Sequence, residues 1–230
     1  MLVMVPTRGR PEQCRILIES YEETVAGDAG LLFITDDDDD SYKDMDWGGA
    51  VHAVLSPRDC LTGILNRTAL TYADEFDVLM TIGDDHVIRT PGWDKLLLAA
   101  LGDMGGSGWV YPDDRRRNDV PEIWAMTSDI VKALGFFAIP DVKHFYCDNA
   151  TGELGKRSGL LRWCPEVVIE HMHYSVTGGV RDATYAEAED NHGEADREAY
   201  RRWLADKMPG QVAMLRRTFN PDIKWILGKV

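Results

Sequence analysis

Two short segments carry side chains whose types and spacing suit a divalent cation. In GDDH, residues 83–86, Asp84 and His86 lie two apart. On an extended chain they face one side and offer a hard oxygen and an imidazole nitrogen to one ion. Asp85 then points away, or toward a hydroxyl of a bound sugar. In EHMH, residues 170–173, His171 and His173 repeat the spacing, with Glu170 on the opposite face. The plain alternatives are a solvated turn at a strand end for the first segment and core or surface histidines for the second.

Other polar segments are weaker or different in kind. VPTRGRP, residues 5–11, sets Arg8 and Arg10 on either side of Gly9, a pattern of charged forks on a pliable backbone that suits a diphosphate. The five aspartates Asp36–Asp40 fail as a calcium loop, because Ser41 stands where that loop needs glycine and Trp47 where it needs glutamate. A solvated acidic turn covers most of the run, and the first one or two aspartates, nearest the strand end, are the functional candidates. Asp148, in HFYCDN with Asn149 and Glu153 nearby, also fits an ordinary capped turn. No GxxxxGK[ST], GxGxxG after the first strand, or GxSxG is present, so ATPase, dinucleotide-reductase and serine-hydrolase readings fall away.

These residues need elements to hold them. LVMVP, LLFIT, AVHAVL and DVLMTI are short apolar runs that each break into a polar loop, the pattern of buried parallel strands. Between them, residues 11–27 place Cys14, Leu17, Ile18 and Tyr21 at helical spacing behind Pro11 and before Gly27, and residues 56–76 form a second helix. Alternation of strand and helix predicts a parallel sheet of right-handed crossovers, with ligands at the carboxyl ends of the strands. TRGR, DDDDD and GDDH all fall at such ends. TPGWDKLLLAALGDM is a further helix, and after it the elements shorten and lose their regularity, which predicts an added lobe ending in an Ala/Glu/Arg-rich helix.

Composition bounds the partners. The 230 residues suffice for one sizeable core, and a formal charge of −14 repels phosphate backbones unless arginines gather on one face. Arg115–Arg117 and the later Arg201, Arg202, Arg216 and Arg217 are the only candidates for such a face, and an exposed loop is the simpler reading of the first three. Four scattered cysteines with no CxxC pair suit a reducing compartment and exclude a zinc ribbon. With no apolar run of membrane length and no signal-peptide core, a cytoplasmic protein is expected.

The order of VPTRGRP, FITDDDDD, GILNRTAL, VLMTIGDDHV and TPGWDKLL resembles GT-A fold glycosyltransferases of the family 2 type, over most of the first 100 residues and more loosely through EHMHY. The resemblance implies an α/β fold: a mixed, mainly parallel Rossmann-like sheet flanked by helices. One domain spans 1–230, with a nucleotide-sugar half, 1–100, and a smaller acceptor-side lobe, 101–230. It implies Mn2+ or Mg2+ as cofactor and a nucleotide-diphosphate sugar, first of all a UDP-sugar, as donor. Asp84, Asp85 and His86 match the family's D-x-D or D-x-H segment, with Asp84 and His86 on the metal and His171 or His173 as the late histidine ligand.

Pro6, Thr7 and Arg8 would line the base and ribose, Asp36 or Asp37 would contact the base, Arg10 would share the diphosphate charge, and Arg58 and Asn66 would hold the nucleotide or shape its pocket. Asp148 would be the base of an inverting transfer, although the family's usual Glu-Asp pair is missing. The chain is also similar to compact GT-A proteins of bacteriophage genomes, with a glycan, a protein or a modified DNA base as acceptor. The rival readings are a sugar-1-phosphate nucleotidyltransferase, disfavoured by the single glycine of TRGRP, and a non-catalytic nucleotide-sugar-binding module.

Overall fold

The apolar amino terminus forms β1 (Leu2–Thr7), and the computed structural model builds the remainder of a sheet on both of its sides. It describes residues 1–48, 51–172 and 183–220, with only the backbone at Val51 and 183–191. His173 lies outside the described residues. In chain order the other elements are α1 (Pro11–Thr24), β2 (Gly30–Asp36), β3 (Val51–Ser56), α2 (Leu61–Tyr72), β4 (Val78–Thr81), β5 (His86–Ile88) and α3 (Trp93–Asp103). Then come β6 (Trp109–Asp113), β7 (Trp124–Thr127), α4 (Ser128–Leu134), α5 (Cys147–Ser158), β8 (Leu161–His171), α6 (Ala183–Asp206) and α7 (Met208–Phe219). A single 3₁₀ turn at Asp40–Tyr42 follows β2.

The sheet runs β3-β2-β1-β4-β7-β6-β8-β5. Its first four strands are parallel, β7 pairs antiparallel with both β4 and β6, β8 is parallel to β6, and β5 closes the far edge antiparallel to β8. The α/β fold with a mainly parallel sheet flanked by helices is therefore the one expected. Alternation within β1 explains why helices cover both faces. Leu2 and Met4 join the apolar layer under α2, α4, α5, α6 and α7, while Val3 and Val5 join the one under α1 and α3.

Two departures from the expected elements matter for function. β5 follows β4 in sequence after only four residues, Ile82–Asp85, yet pairs with β8 at an edge of the sheet. The chain there crosses from the centre of the sheet to its rim. Residues 113 and 164–168 are offset by a bulge in the β6–β8 pairing, which falls at Pro165, a residue unable to donate to the ladder.

Candidate functional site

The three polar loops after β1, β2 and β4 meet at the carboxyl end of the parallel strands, and their meeting point is mostly buried. Asp84, 5% exposed, accepts from Thr7 Oγ1 at 2.6 Å and from Arg10 Nη1 at 3.0 Å. Thr7 Oγ1 also lies 2.7 Å from Tyr42 Oη, and that hydroxyl accepts the backbone N–H of Arg10 at 3.0 Å. Burial pushes the Asp84 carboxyl up to about 6, against the opposing pull of the Arg10 charge. Both Asp84 oxygens are thus committed to tying the first loop to the third.

Asp85 is the carboxylate that turns toward the histidines. Asp84 and Asp85 occupy a turn rather than an extended segment, so the two-residue spacing does not place Asp84 and His86 on one side. Asp85 Oδ1 lies 3.1 Å from His86 Nδ1, and Asp85 Oδ2 lies 3.2 Å from His171 Nε2. His86 and His171 are register partners across β5 and β8, with ring centroids 4.2 Å apart and planes 22° from parallel. Close against this group, a Cβ added to Gly83 would stand 2.7 Å from Asp85 Oδ1 and 2.9 Å from His86 Nδ1, so glycine keeps the turn open.

One atom of this cluster has nothing to bond. His86 is 4% exposed; its Nδ1 lies 3.1 Å from the Gly83 carbonyl, which only accepts, so in the neutral ring Nδ1 carries the proton and Nε2 keeps a lone pair. That Nε2 is buried without a hydrogen-bond partner. Ligand atoms of Asp85, His86 and His171 all lie within 4.8 Å of one another. An orphaned imidazole nitrogen beside a carboxylate and a second imidazole is a donor set that fits a Mn2+-like ion.

Glu122 and Arg116 extend the cluster; Glu122 had no signal in the sequence pattern, and Arg116 figured there only within the basic run Arg115–Arg117. Glu122 Oε2 lies 3.0 Å from His171 Nδ1 and 3.0 Å from Arg116 Nη1. Arg116 is set by Asp114, 2% exposed, whose Oδ1 accepts the N–H groups of Arg116 and Arg117 at 2.7 and 2.9 Å. Hydrogen bonds from His171 and His86 hold Asp85 well below the usual carboxylate range despite its desolvation. His171 is raised to about 9: desolvation opposes the charge, and Asp85 and Glu122 together outweigh it.

The aspartate run turns out to be a clamp on the first loop. Arg8 Nη1 bonds Asp36 Oδ2 at 2.9 Å and also Asp38, while Asp39 Oδ2 accepts the Gly9 N–H at 2.7 Å. Arg58 reaches Asp38 at 3.4 Å, and Asp37 is exposed. Burial raises the Asp36 carboxyl, with Arg8 opposing. Pro6, Thr7, Arg8, Arg10, Asp36 and Arg58 line one cleft of about 690 Å³ together with Asp84, Asp85, His86 and His171. Asp37 and Asn66 do not line it; the Asn66 side chain instead bonds the backbone of Phe137 and Ala138.

The loop into α5 lines the same cleft. His144 through Asn149 line it, and Tyr146 takes a left-handed φ of 68° as the loop enters the helix. Asp196 of α6, 2% exposed, pins the loop by accepting the N–H groups of Lys143, His144 and Phe145, each at 2.9 Å. Asp148 sits in the first turn of α5, half-buried, with its carboxyl raised chiefly by burial and partly by the charge of Glu122.

No protein-family model matches the sequence, and neither does any curated protein. Solved structures match in fold. A mannosyltransferase from Pyrobaculum calidifontis, solved with GDP-Man and Mn2+, superposes with a TM-score of 0.57 at 15% identity over 94% of this chain and 72% of its own. GalNAc-T7, solved with UDP, GalNAc and Mn2+, gives 0.59 at 11% identity over 95% of this chain and 57% of its own. Glucosyl-3-phosphoglycerate synthase from Mycobacterium tuberculosis, solved with Mn2+, UDP and phosphoglyceric acid, gives 0.58 at 14% identity, covering 77% of this chain and 72% of its own.

Proposed function

Because the chain has a GT-A-like fold, we propose that it is a metal-dependent glycosyltransferase that moves a sugar from a nucleotide-diphosphate sugar to a hydroxyl acceptor. The observation that carries this reading is the Asp85–His86–His171 cluster, with its unpartnered buried Nε2, opening on the cleft that Arg8, Arg10 and Asp36 also line. All three solved structures described above hold Mn2+, and two hold UDP, which makes a UDP-sugar the first donor to try.

In this reading Asp85, His86 and His171 hold the ion, an assignment that moves the carboxylate ligand from Asp84 to Asp85. When bound there, the ion supplies Lewis-acid neutralisation of the diphosphate leaving group. Pro6, Thr7 and Asp36 face the nucleoside, and Arg8 and Arg10 add positive charge along the diphosphate. Asp84 keeps Arg10 in place. Asp148, which lines the same cleft, accepts the proton of the acceptor hydroxyl as that oxygen attacks the anomeric carbon, which makes the transfer inverting. A carboxyl raised by burial is better matched to this task than a fully solvated one. Arg116 and Arg117 are paired with Glu122 and Asp119, which favours a glycan or protein acceptor over a DNA base.

Thermal shifts with UDP, GDP, CDP and dTDP, each with and without Mn2+, test the donor site, since a ligand of the native state raises its apparent stability. A Mn2+-dependent shift in wild type that vanishes in His171→Ala is expected. No metal-dependent shift with any nucleotide would sink the reading. Slow Mn2+-dependent release of UDP or GDP from a nucleotide sugar separates an enzyme from a binding module, which would bind without turnover.

A further inference from the structure

The cation reading leaves unexplained why the chain buries an acid against the far side of His171. Glu122 is 14% exposed at its side chain, Arg116 26%, and neither lies in a motif of the kind that marks the site. Glu122 Oε2 stands 3.0 Å from His171 Nδ1, the nitrogen turned away from Asp85, while His171 Nε2 stands 3.2 Å from Asp85 Oδ2. The imidazole therefore bridges two carboxylates, one through each nitrogen.

We propose that Glu122, held by Arg116, is a positioning residue for the cation site: it fixes His171 as the tautomer with its proton on Nδ1 and aims Nε2 at the ion. The inference rests on the assignment of Asp85, His86 and His171 as ligands. A carboxylate only accepts, so Glu122 accepts Nδ1–H; Asp85 accepts at Nε2 in the ion-free protein, and an ion bound there takes the place of that proton while Glu122 keeps the other. The guanidinium only donates; its Nη1, 3.0 Å from Glu122 Oε2 and 3.2 Å from His171 Nδ1, serves the carboxylate and not the ring.

The anchoring of this chain of contacts argues for a purpose beyond surface pairing. Asp114 caps the turn carrying Arg116, and its backbone carbonyl accepts the N–H of His171 at 3.0 Å, so the arginine and the histidine it serves hang from one residue. His86 has a parallel arrangement with a different acceptor, the Gly83 carbonyl on Nδ1. Each ring thus has accepting oxygen at Nδ1, for His86 the Gly83 carbonyl and Asp85 Oδ1 at 3.1 Å each and for His171 the Glu122 carboxylate, which sets each to present Nε2.

Mn2+ affinity of the full chain, read by the electron-spin resonance signal of the free ion with no nucleotide present, tests the proposal apart from activity. Wild type, His171→Ala, Glu122→Ala and Glu122→Gln are compared, with circular dichroism and melting curves for each. Glu122→Ala should weaken Mn2+ binding about 10- to 100-fold. Glu122→Gln, which keeps an accepting oxygen but not the charge, should fall between it and wild type and serves alone if the alanine variant does not fold. A merely structural glutamate would lower the melting temperature and leave the affinity of the folded protein unchanged, and that result overturns the proposal. If His171→Ala also binds Mn2+ like wild type, the cation site itself is misassigned and the role of Glu122 falls with it; loss in His171→Ala alone leaves the site standing without Glu122.

Discussion

Asp84 and Arg10 form a 3.0 Å ion pair in which both side chains are more than nine-tenths buried, immediately beside a second aspartate that faces two histidines. Adjacent carboxylates are thereby given different tasks. Asp84→Ala removes a buried acid partner of Arg10 and should cost about 3–5 kcal/mol of stability, while the folded fraction still binds Mn2+. Asp85→Ala should cost less, about 1–3 kcal/mol, and remove Mn2+ binding. Urea unfolding paired with Mn2+ titration checks both, and the reverse pattern would return the ligand role to Asp84.

Gly83→Ala tests the same site by crowding. Its Cβ would meet the ends of the Asp85 and His86 side chains, which can move without disturbing the sheet. A fold that melts within a few degrees of wild type but binds Mn2+ at least tenfold more weakly is expected. Unchanged affinity would show that those two side chains do not need their present positions.

Asp148→Asn and Asp36→Ala should divide turnover from binding. The first removes the proposed proton acceptor and should lower kcat by about 10²–10⁴-fold with little change in donor affinity. The second removes one acid partner of Arg8, which keeps Asp38, and should act mainly through the donor KM. Steady-state kinetics and nucleotide titrations on both variants distinguish the two patterns; equal losses of kcat would count against the division of the cleft into donor and acceptor walls.

Asp196 makes a prediction far from any reacting atom. Its carboxylate holds three consecutive amides of the loop that leads to Asp148. Asp196→Ala leaves those donors without their charged acceptor and should cost about 3 kcal/mol by chemical denaturation. Because the loop carries Asp148 into the cleft, kcat should drop in the folded variant at temperatures well below its melting point.

His144 sets a pH dependence. Burial, with the neighbouring His192 and Arg10 and against Asp196, lowers it to about 4, beneath its ordinary 6.5. The unfolded chain then binds a proton that the folded chain refuses between those values, so this residue's contribution to stability is complete above pH 6.5 and is lost as pH falls toward 4. His144→Gln should flatten that part of the stability curve relative to wild type, while carboxylate titration below it persists in both. Parallel curves for the two proteins would exclude His144 as the source.

What the sequence disclosed follows from the range of each signal. Apolar runs ending in polar loops are local, so β1 to β4 and the convergence of TRGR, DDDDD and GDDH could be read directly. The identity of the facing carboxylate could not, because alternation applies to extended chain and Asp84–Asp85 form a turn. Nor could β5, whose three residues are too few for any period. Glu122 was silent because its meaning depends on a histidine 49 positions away. In the aspartate run, Asp38 and Asp39 looked like solvated turn residues, and only tertiary contact with Arg8 and Gly9 gives them work.

The path of β5 also sets an order of events during synthesis. Asp85 and His86 emerge early, but their partner His171 lies on a strand made 86 residues after Asp85, with Glu122 between them. A nascent chain that has completed β1 to β4 can have its nucleotide-facing loops in place and still lack the third ligand. On the proposed ligand assignment, metal capture would be a late checkpoint, available only to a chain that has finished β8 and seated it against β5, so an ion bound there would report that the whole sheet has been completed.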